Sequence, residues 1–274
     1  DKTVGVWEVE TGRLVRQFVG HATGVNHLCV LAEGSRAVSI GSDGEVHVWE
    51  IESGRSLLSF RTPQNRVVGA MPSTRQLIAS DGANGLRLWD TANGQRFCDL
   101  AAAPTTPPAL DLFAIAVTPD SRSVIGGFLG GVVRVWDWES RRLARDLKGH
   151  ADRVWNLATS PDGRTLLSID GEQGRLWDLG SGQCRAVFES LPDLGQPRFT
   201  PDGKHVVTAN PPQMRRTADG HVVWTREPLP REMGEPVAVS PDLQWLATLA
   251  EDRGADKTRH RVRFARLQLP RLSD

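Results

Sequence analysis

A short turn motif that returns at nearly constant spacing is the feature that most restricts how this chain can fold. Proline presets the backbone of a tight turn, while Asp and Gly supply the local hydrogen bond and the backbone freedom that the reversal needs. The prolines of successive copies are 47, 42, 40 and 40 residues apart. Each copy is therefore predicted to be a hairpin tip. The copies are MPSTR at 71–75, TPDSR at 118–122, SPDGR at 160–164, TPDGK at 200–204 and SPDLQ at 240–244, with a degenerate one, LAEGSR, at 31–36.

Alternating apolar residues that end in Trp form a second series, in phase with the turns. Such alternation predicts a short strand with one buried face. Each period of about 40 residues resolves into four strands, which is the pattern of a propeller blade, so the predicted fold is all-β. The members of the series are GVWEVETG around Trp7, VHVWEIESG around Trp49, LRLWDTANG around Trp89, VRVWDWES around Trp136 and GRLWDLGSG around Trp177.

The dipeptide Gly-His links the two series to a known family. It stands at 20–21 and 149–150, and Trp49 and Trp177 follow its histidines after 28 and 27 residues, with WE or WD closing the strand. This combination resembles the WD40 repeat family, and the resemblance covers nearly the whole chain. It implies a WD40 β-propeller whose blades carry strands a to d from the channel outwards.

Strand counting from both ends predicts one domain over residues 1–274. The expected ring is seven-bladed, and its N-terminal strands would lie upstream of Asp1, because members of the family close the ring with an outer strand that removes exposed edges. The alternative is a complete six-bladed ring with an extra hairpin. The predicted parts are strands c and d of a first blade at 1–20, blades at 21–61, 62–100, 101–149, 150–189 and 190–230, and strands a to c of a last blade at 231–274.

The resemblance also implies a structural tetrad, in which a His, a hydroxyl, a carboxylate and an indole satisfy one another inside a blade. Buried polar groups need such partners. A hydrolase triad is the alternative, but the set recurs in separate blades and its Ser lies inside a strand, not on an exposed elbow. The matching residues are His21, Ser39, Asp43 and Trp49; Ser80, Asn84 and Trp89; and His150, Ser168, Glu172 and Trp177.

A set of candidate partner-binding residues follows from the same resemblance. In the family, the first residue of strand a, eight before the turn proline, commonly faces a partner at the top rim. Arg and Met are enriched at protein interfaces, so this set suits a protein or peptide ligand, the alternative being ordinary solvated loop residues. The positions are Gln64, Asp111, Arg153, Asp193 and Met233.

Composition narrows the function further. Lys+Arg and Asp+Glu are both 33, so no global field attracts nucleic acid or an anionic membrane, and no motif indicates a cofactor, a metal or a small-molecule substrate. We expect a cytoplasmic, non-catalytic scaffold that binds a partner protein or another, signalling domain of its own polypeptide. The alternative is a propeller hydrolase or lyase, which would need several His, Asp or Glu side chains converging in the channel. Segments 101–111 and 251–260 are predicted to be loops.

Overall fold

A computed structural model describes residues 2–31, 34–62, 68–70, 76–80, 86–100, 112–189, 197–208, 212–226, 235–240, 242–253 and 258–267. These residues form 25 β-strands and no helix. The strands are β1 (Thr3–Glu8), β2 (Arg13–Val19), β3 (Val25–Val30), β4 (Arg36–Gly41), β5 (Glu45–Glu50), β6 (Ser56–Arg61), β7 (Val68–Ala70), β8 (Gln76–Ser80), β9 (Leu86–Asp90), β10 (Arg96–Leu100), β11 (Leu112–Val117), β12 (Ser123–Phe128), β13 (Val133–Asp137), β14 (Arg142–Leu147), β15 (Asn156–Thr159), β16 (Thr165–Ile169), β17 (Gln173–Asp178), β18 (Cys184–Glu189), β19 (Arg198–Phe199), β20 (His205–Thr208), β21 (Gln213–Arg216), β22 (Val222–Thr225), β23 (Glu235–Val239), β24 (Trp245–Arg253) and β25 (Thr258–Arg266).

Strands that follow one another in the chain are antiparallel neighbours in a sheet. The four-stranded sheets are β3–β6, β7–β10, β11–β14, β15–β18 and β19–β22, while β1–β2 and β23–β25 form sheets of two and three strands. The first strands of successive four-stranded sheets, β3, β7, β11, β15 and β19, lie side by side. The chain is thus an all-β propeller, and each four-stranded sheet is a blade with its first strand innermost.

The repeated turn folds as its residues predict. In the blade that begins with β15, Ser160 Oγ donates to Asp162 Oδ1 at 2.5 Å, and the same carboxylate accepts the Arg164 backbone N–H at 3.0 Å. Gly163 adopts φ +68°, which its lack of a Cβ permits. Ser121 adopts φ 57° in the corresponding turn without that advantage. The hydrogen bonds of the Asp therefore set the turn, and glycine only makes it easier.

The hydrophobic core lies between blades. One cluster joins Val46 and Val48 of β5 to Trp89 of the next blade, and another joins Val133 and Val135 of β13 to the indole of Trp177. In both clusters, one blade buries a face against the Trp-bearing face of its successor. This packing explains why the apolar alternation and the Trp recur in phase.

The predicted loop at 251–260 is wrong in part. β24 extends to Arg253 and β25 begins at Thr258, and the backbones stay paired as far as Arg253 and Thr258. The ladder of backbone hydrogen bonds continues through this charged sequence because strand pairing uses main-chain groups that every residue supplies. The predicted loop at 101–111 lies outside the described residues.

Candidate functional site

The blade of β15–β18 contains a complete buried polar relay. Trp177 Nε1–H donates to Ser168 Oγ at 2.7 Å, and His150 Nε2 lies 2.6 Å from the same oxygen. His150 Nδ1 lies 2.9 Å from Asp170 Oδ2. Since a carboxylate only accepts, Nδ1 carries the proton of the neutral ring, and Nε2 accepts the Ser168 hydroxyl proton. Every polar atom along this relay therefore has a partner.

The carboxylate of this relay is Asp170, and the prediction of Glu172 is wrong. Asp170 stands two residues after Ser168, and side chains two apart along extended chain lie on the same side. Glu172 stands two residues further on, and its backbone N–H donates to Asp170 Oδ1 at 2.8 Å. The signal was present in the sequence, where TLLSID places the Asp directly after the strand.

The blade of β3–β6 holds an incomplete relay. Trp49 Nε1–H donates to Ser39 Oγ at 2.6 Å and His21 Nε2 lies 2.7 Å from it, but buried His21 Nδ1 has no hydrogen-bond partner. Asp43 instead accepts from the Thr23 hydroxyl at 3.0 Å. The position that matches Asp170 is Gly41, so the carboxylate that would meet the histidine is missing from this blade.

Both serines are buried completely, with 0% of their surface exposed. The set of Ser168, His150 and Asp170 resembles a hydrolase triad in its distances, yet no substrate reaches the hydroxyl, which already accepts an indole proton. In the blade of β7–β10, Trp89 is buried, whereas Asn84 and the Ser80 side chain lie outside the described residues.

Burial and hydrogen bonding together set the direction in which the pKa of each relay group is shifted. The pKa of His150 is lowered because burial disfavours the imidazolium, and the hydrogen bond to Asp170 opposes this only in part. Burial by itself raises the pKa of the Asp170 carboxyl. Hydrogen bonds from the backbone N–H groups of Glu172 and Gln173 and from the His150 ring outweigh this effect, so the pKa of Asp170 is lowered. The pKa of His21 is also lowered, by burial first and then by nearby His47.

An aromatic pair carries the predicted rim residue Arg153. The Phe113 and Trp155 rings meet edge to face with centroids 5.1 Å apart, and the Arg153 guanidinium lies 4.7 Å from the centroid of Trp155 and 5.7 Å from that of Phe113. Trp155 is 44% exposed. This rim cluster, defined as Phe113, Arg153 and Trp155, lies where β11 and β15 begin. The other predicted rim residues, Gln64, Asp111, Asp193 and Met233, lie outside the described residues.

Sequence reasoning missed Phe113 and Trp155. Trp155 was the available signal, because it stands outside the repeated strand-end position of the other WD and WE tryptophans. Its partner could not be found in the same way, since 42 residues separate the two rings in the chain.

A cavity of about 520 Å³ opens beside the rim cluster. It runs the length of β15, from Trp155 before the strand to Pro161 after it, and its lining includes Ala, Val, Ile and Leu residues together with the polar residues Asn156 and Thr159. Its charged or titratable lining groups within the described ranges are His27 and Arg198, with no carboxylate. Among all the residues that the structure describes, no three His, Cys, Asp or Glu side chains converge as metal ligands. None of the described segments is a helix long and apolar enough to cross a membrane.

Comparison with known proteins agrees with the repeat and the blades. The family model described as WD domain, G-beta repeat, matches residues 12–50 and 141–178. The WD repeat-containing protein VIP3 of Arabidopsis thaliana is 28% identical over 61% of this chain and 56% of its own length. The small ribosomal subunit protein RACK1 of Caenorhabditis elegans is 26% identical over 50% of this chain and 43% of its own length. Protein groucho of Drosophila melanogaster is 30% identical over 56% of this chain and 22% of its own length. The chain therefore spans about half or less of the length of these three relatives.

Proposed function

Because this chain is a WD40-repeat protein, we propose that it works as a non-catalytic scaffold whose rim cluster binds a partner protein or another domain of its own polypeptide. The supporting observation is the exposed Trp155, which packs on Phe113 and Arg153 at the mouth of a cavity. Aromatic residues and Arg dominate the binding energy of protein interfaces, because they bury a large area at a small entropic cost.

The arrangement of the rim cluster suits recognition. The ring of Phe113 fixes the indole edge to face, and the Arg153 guanidinium stays close to both rings, so little side-chain freedom remains to be lost on binding. Rigid blades hold the segments that carry these side chains, which is the usual placement of a binding site.

The cavity supports a scaffold over an enzyme. A propeller hydrolase or lyase would need acidic or metal-binding side chains converging on a reacting group. Within the described ranges, the cavity offers His27 and Arg198 as its charged or titratable groups, beside the polar residues Asn156 and Thr159 and a set of aliphatic and aromatic residues. The relay that resembles a catalytic triad is sealed inside its blade.

A pull-down from cells of the source organism tests the proposal, with bound proteins measured by quantitative mass spectrometry. We expect Trp155→Ala and Arg153→Glu each to deplete the specific partners at least about tenfold, as is typical of residues at the centre of an interface. Arg164→Glu is the matched control, since it makes the same charge change in the exposed turn at the other end of β15. A partner set that is unchanged by both rim variants would refute the proposal.

A further inference from the structure

The cavity beside the rim cluster contains a cation, Arg198, for which the described residues supply no carboxylate counter-ion. Arg198 lines the cavity and remains exposed to it. Its Nε donates to the Val239 carbonyl oxygen at 3.0 Å, and none of the described carboxylates lies within ion-pair distance of its guanidinium. Burial among the inner strands lowers the pKa of Arg198, with no acidic neighbour to oppose it.

The surroundings of Arg198 differ from those of Arg134, which is buried, and of Arg175, which is partly buried. Arg134 is 1% exposed, and its Nε lies 3.4 Å from Asp146 Oδ1. Arg175 donates from Nη2 to the Gln173 side-chain oxygen at 3.0 Å. Arg134 thus has a carboxylate within ion-pair distance and Arg175 has a side-chain acceptor, whereas among the described residues Arg198 donates to one backbone carbonyl. Because the guanidinium of Arg198 is exposed to the cavity, an anion that enters the cavity can form charge-assisted hydrogen bonds with it.

The strand register places Arg198 at a defined depth. Arg198 pairs with Val207 as Ala158 pairs with Leu167, so the arginine stands in its blade where Ala158 stands in the preceding one. Ala158 is three residues along β15 from Trp155, which corresponds to about 10 Å of extended chain. The small side chain of Ala158 lines the cavity at the same depth as Arg198. The spacing between Trp155 and this depth equals the length of three residues of an extended peptide.

We propose that the cavity binds a carboxylate on Arg198, carried by an extended peptide whose apolar residue, about three positions away, packs against Trp155 and Phe113. This inference rests on the proposed function, because it names the chemistry that the partner presents to the same opening. The guanidinium supplies charge-assisted hydrogen bonds to the carboxylate, which are stronger than hydrogen bonds between neutral groups. Acidic side chains and a chain's C-terminal carboxylate share this chemistry.

Four peptides of equal length test the proposal with the full chain. Acetyl-Phe-Ala-Ala-Glu-amide is compared with its Gln and Lys counterparts, and with acetyl-Phe-Ala-Ala-Gln that has a free C-terminal carboxylate. Binding is measured from the indole N–H signal of Trp155 in ¹⁵N-resolved NMR spectra, identified by its loss in Trp155→Phe. We expect at least one of the two anionic peptides to bind at least about tenfold more tightly than the neutral Gln amide. The Lys peptide should bind more weakly than the Gln amide, because its charge repels the guanidinium. The anionic peptide that binds more tightly identifies the source of the carboxylate.

Variants assign the preference to Arg198. Arg198→Gln should abolish the difference between anionic and neutral peptides, while Arg198→Lys should keep the anionic preference, which also shows that the site tolerates substitution. Arg164→Gln, in the turn outside the cavity, should leave the preference unchanged. Equal affinities of all four peptides for the natural sequence would overturn the carboxylate inference and leave the rim function standing. If no peptide shifts the Trp155 signal, the inference also fails, and the pull-down decides the proposed function separately.

Discussion

Two blades share the same sequence motif but complete it differently. In the blade of β15–β18, the chain of hydrogen bonds runs from Trp177 through Ser168 and His150 to Asp170. In the blade of β3–β6, the equivalent chain stops at His21, whose Nδ1 has no acceptor. The deciding position is the second residue after the Ser, which is an Asp in one blade and Gly41 in the other.

The difference teaches that a carboxylate near the motif does not by itself complete the relay. Asp43 stands four residues after Ser39, and the Thr23 hydroxyl and the Glu45 backbone N–H occupy its Oδ1. A half-buried turn thus uses its carboxylate locally, whereas Asp170, only 4% exposed, reaches the histidine. The blade of His150 should therefore depend more strongly on its carboxylate than the blade of His21.

The largest effect is expected at the centre of the complete relay. Ser168→Ala leaves the buried Trp177 N–H without an acceptor and His150 Nε2 without a donor, which should cost about 3 kcal/mol of unfolding free energy. Urea denaturation followed by fluorescence measures it. Ser181→Ala, at an exposed serine of the same blade, is the control and should change stability by less than about 0.5 kcal/mol. A loss at Ser168 no larger than at Ser181 would contradict the relay.

The two carboxylates provide the direct comparison. Asp170→Ala should lower the free energy of unfolding by about 2 kcal/mol, because it leaves the His150 Nδ1–H and two backbone N–H groups without their acceptor. Asp43→Ala should also lower the thermal midpoint, but by less, since solvent can replace its partners. Equal losses in the two variants, measured by calorimetry, would show that the blades do not differ in this way.

Transplanting the complete relay should sharpen the comparison. A Cβ on Gly41 would lie 2.9 Å from His21 Nδ1 and 2.7 Å from Asp43 Oδ1, so Gly41→Ala alone should destabilise the blade by crowding. Gly41→Asp combined with Thr23→Asp and Asp43→Glu copies the other blade at all three positions. We expect this triple variant to be about 1 kcal/mol more stable than Gly41→Ala in urea denaturation, because both carry the crowded Cβ but only the triple variant gives His21 an acceptor. No gain over Gly41→Ala would count against the missing-acceptor explanation.

The smallest effect concerns pH. A histidine whose pKa is lowered by folding binds fewer protons in the native state than in the unfolded state, so stability rises with pH up to the unfolded pKa of about 6.5. When the pH falls from 7 to 5, the contribution of His21 to the free energy of unfolding should therefore decrease, by less than about 1 kcal/mol. His47→Gln removes a charge that lowers the pKa of His21, while Asp43 and Glu45 raise it. That variant should show a flatter pH dependence of the thermal midpoint; a steeper one would reverse the assigned sign.

Much of the fold could be predicted because it depends on local signals. The turn around Ser160 and Asp162 closes on itself within five residues, and the alternation that ends in Trp177 fixes which face of β17 is buried. The relay was predicted only in part, since Ser168 and Trp177 occupy fixed strand positions but the carboxylate depends on which turn atoms reach the ring. The number of blades in the whole ring stays a prediction.

The sequence alone determined the repeat, its strand order and the identity of the buried Ser, His and Trp, because these follow from periodicities along a single segment. Only the tertiary structure decided that Asp170 completes one relay, that Phe113 meets Trp155, and that Arg198 faces a cavity in which the described residues supply no carboxylate. These contacts join side chains from the ends of strands or from neighbouring blades about 40 residues apart. Their geometry depends on how one blade packs against the next, which no local pattern of residues records.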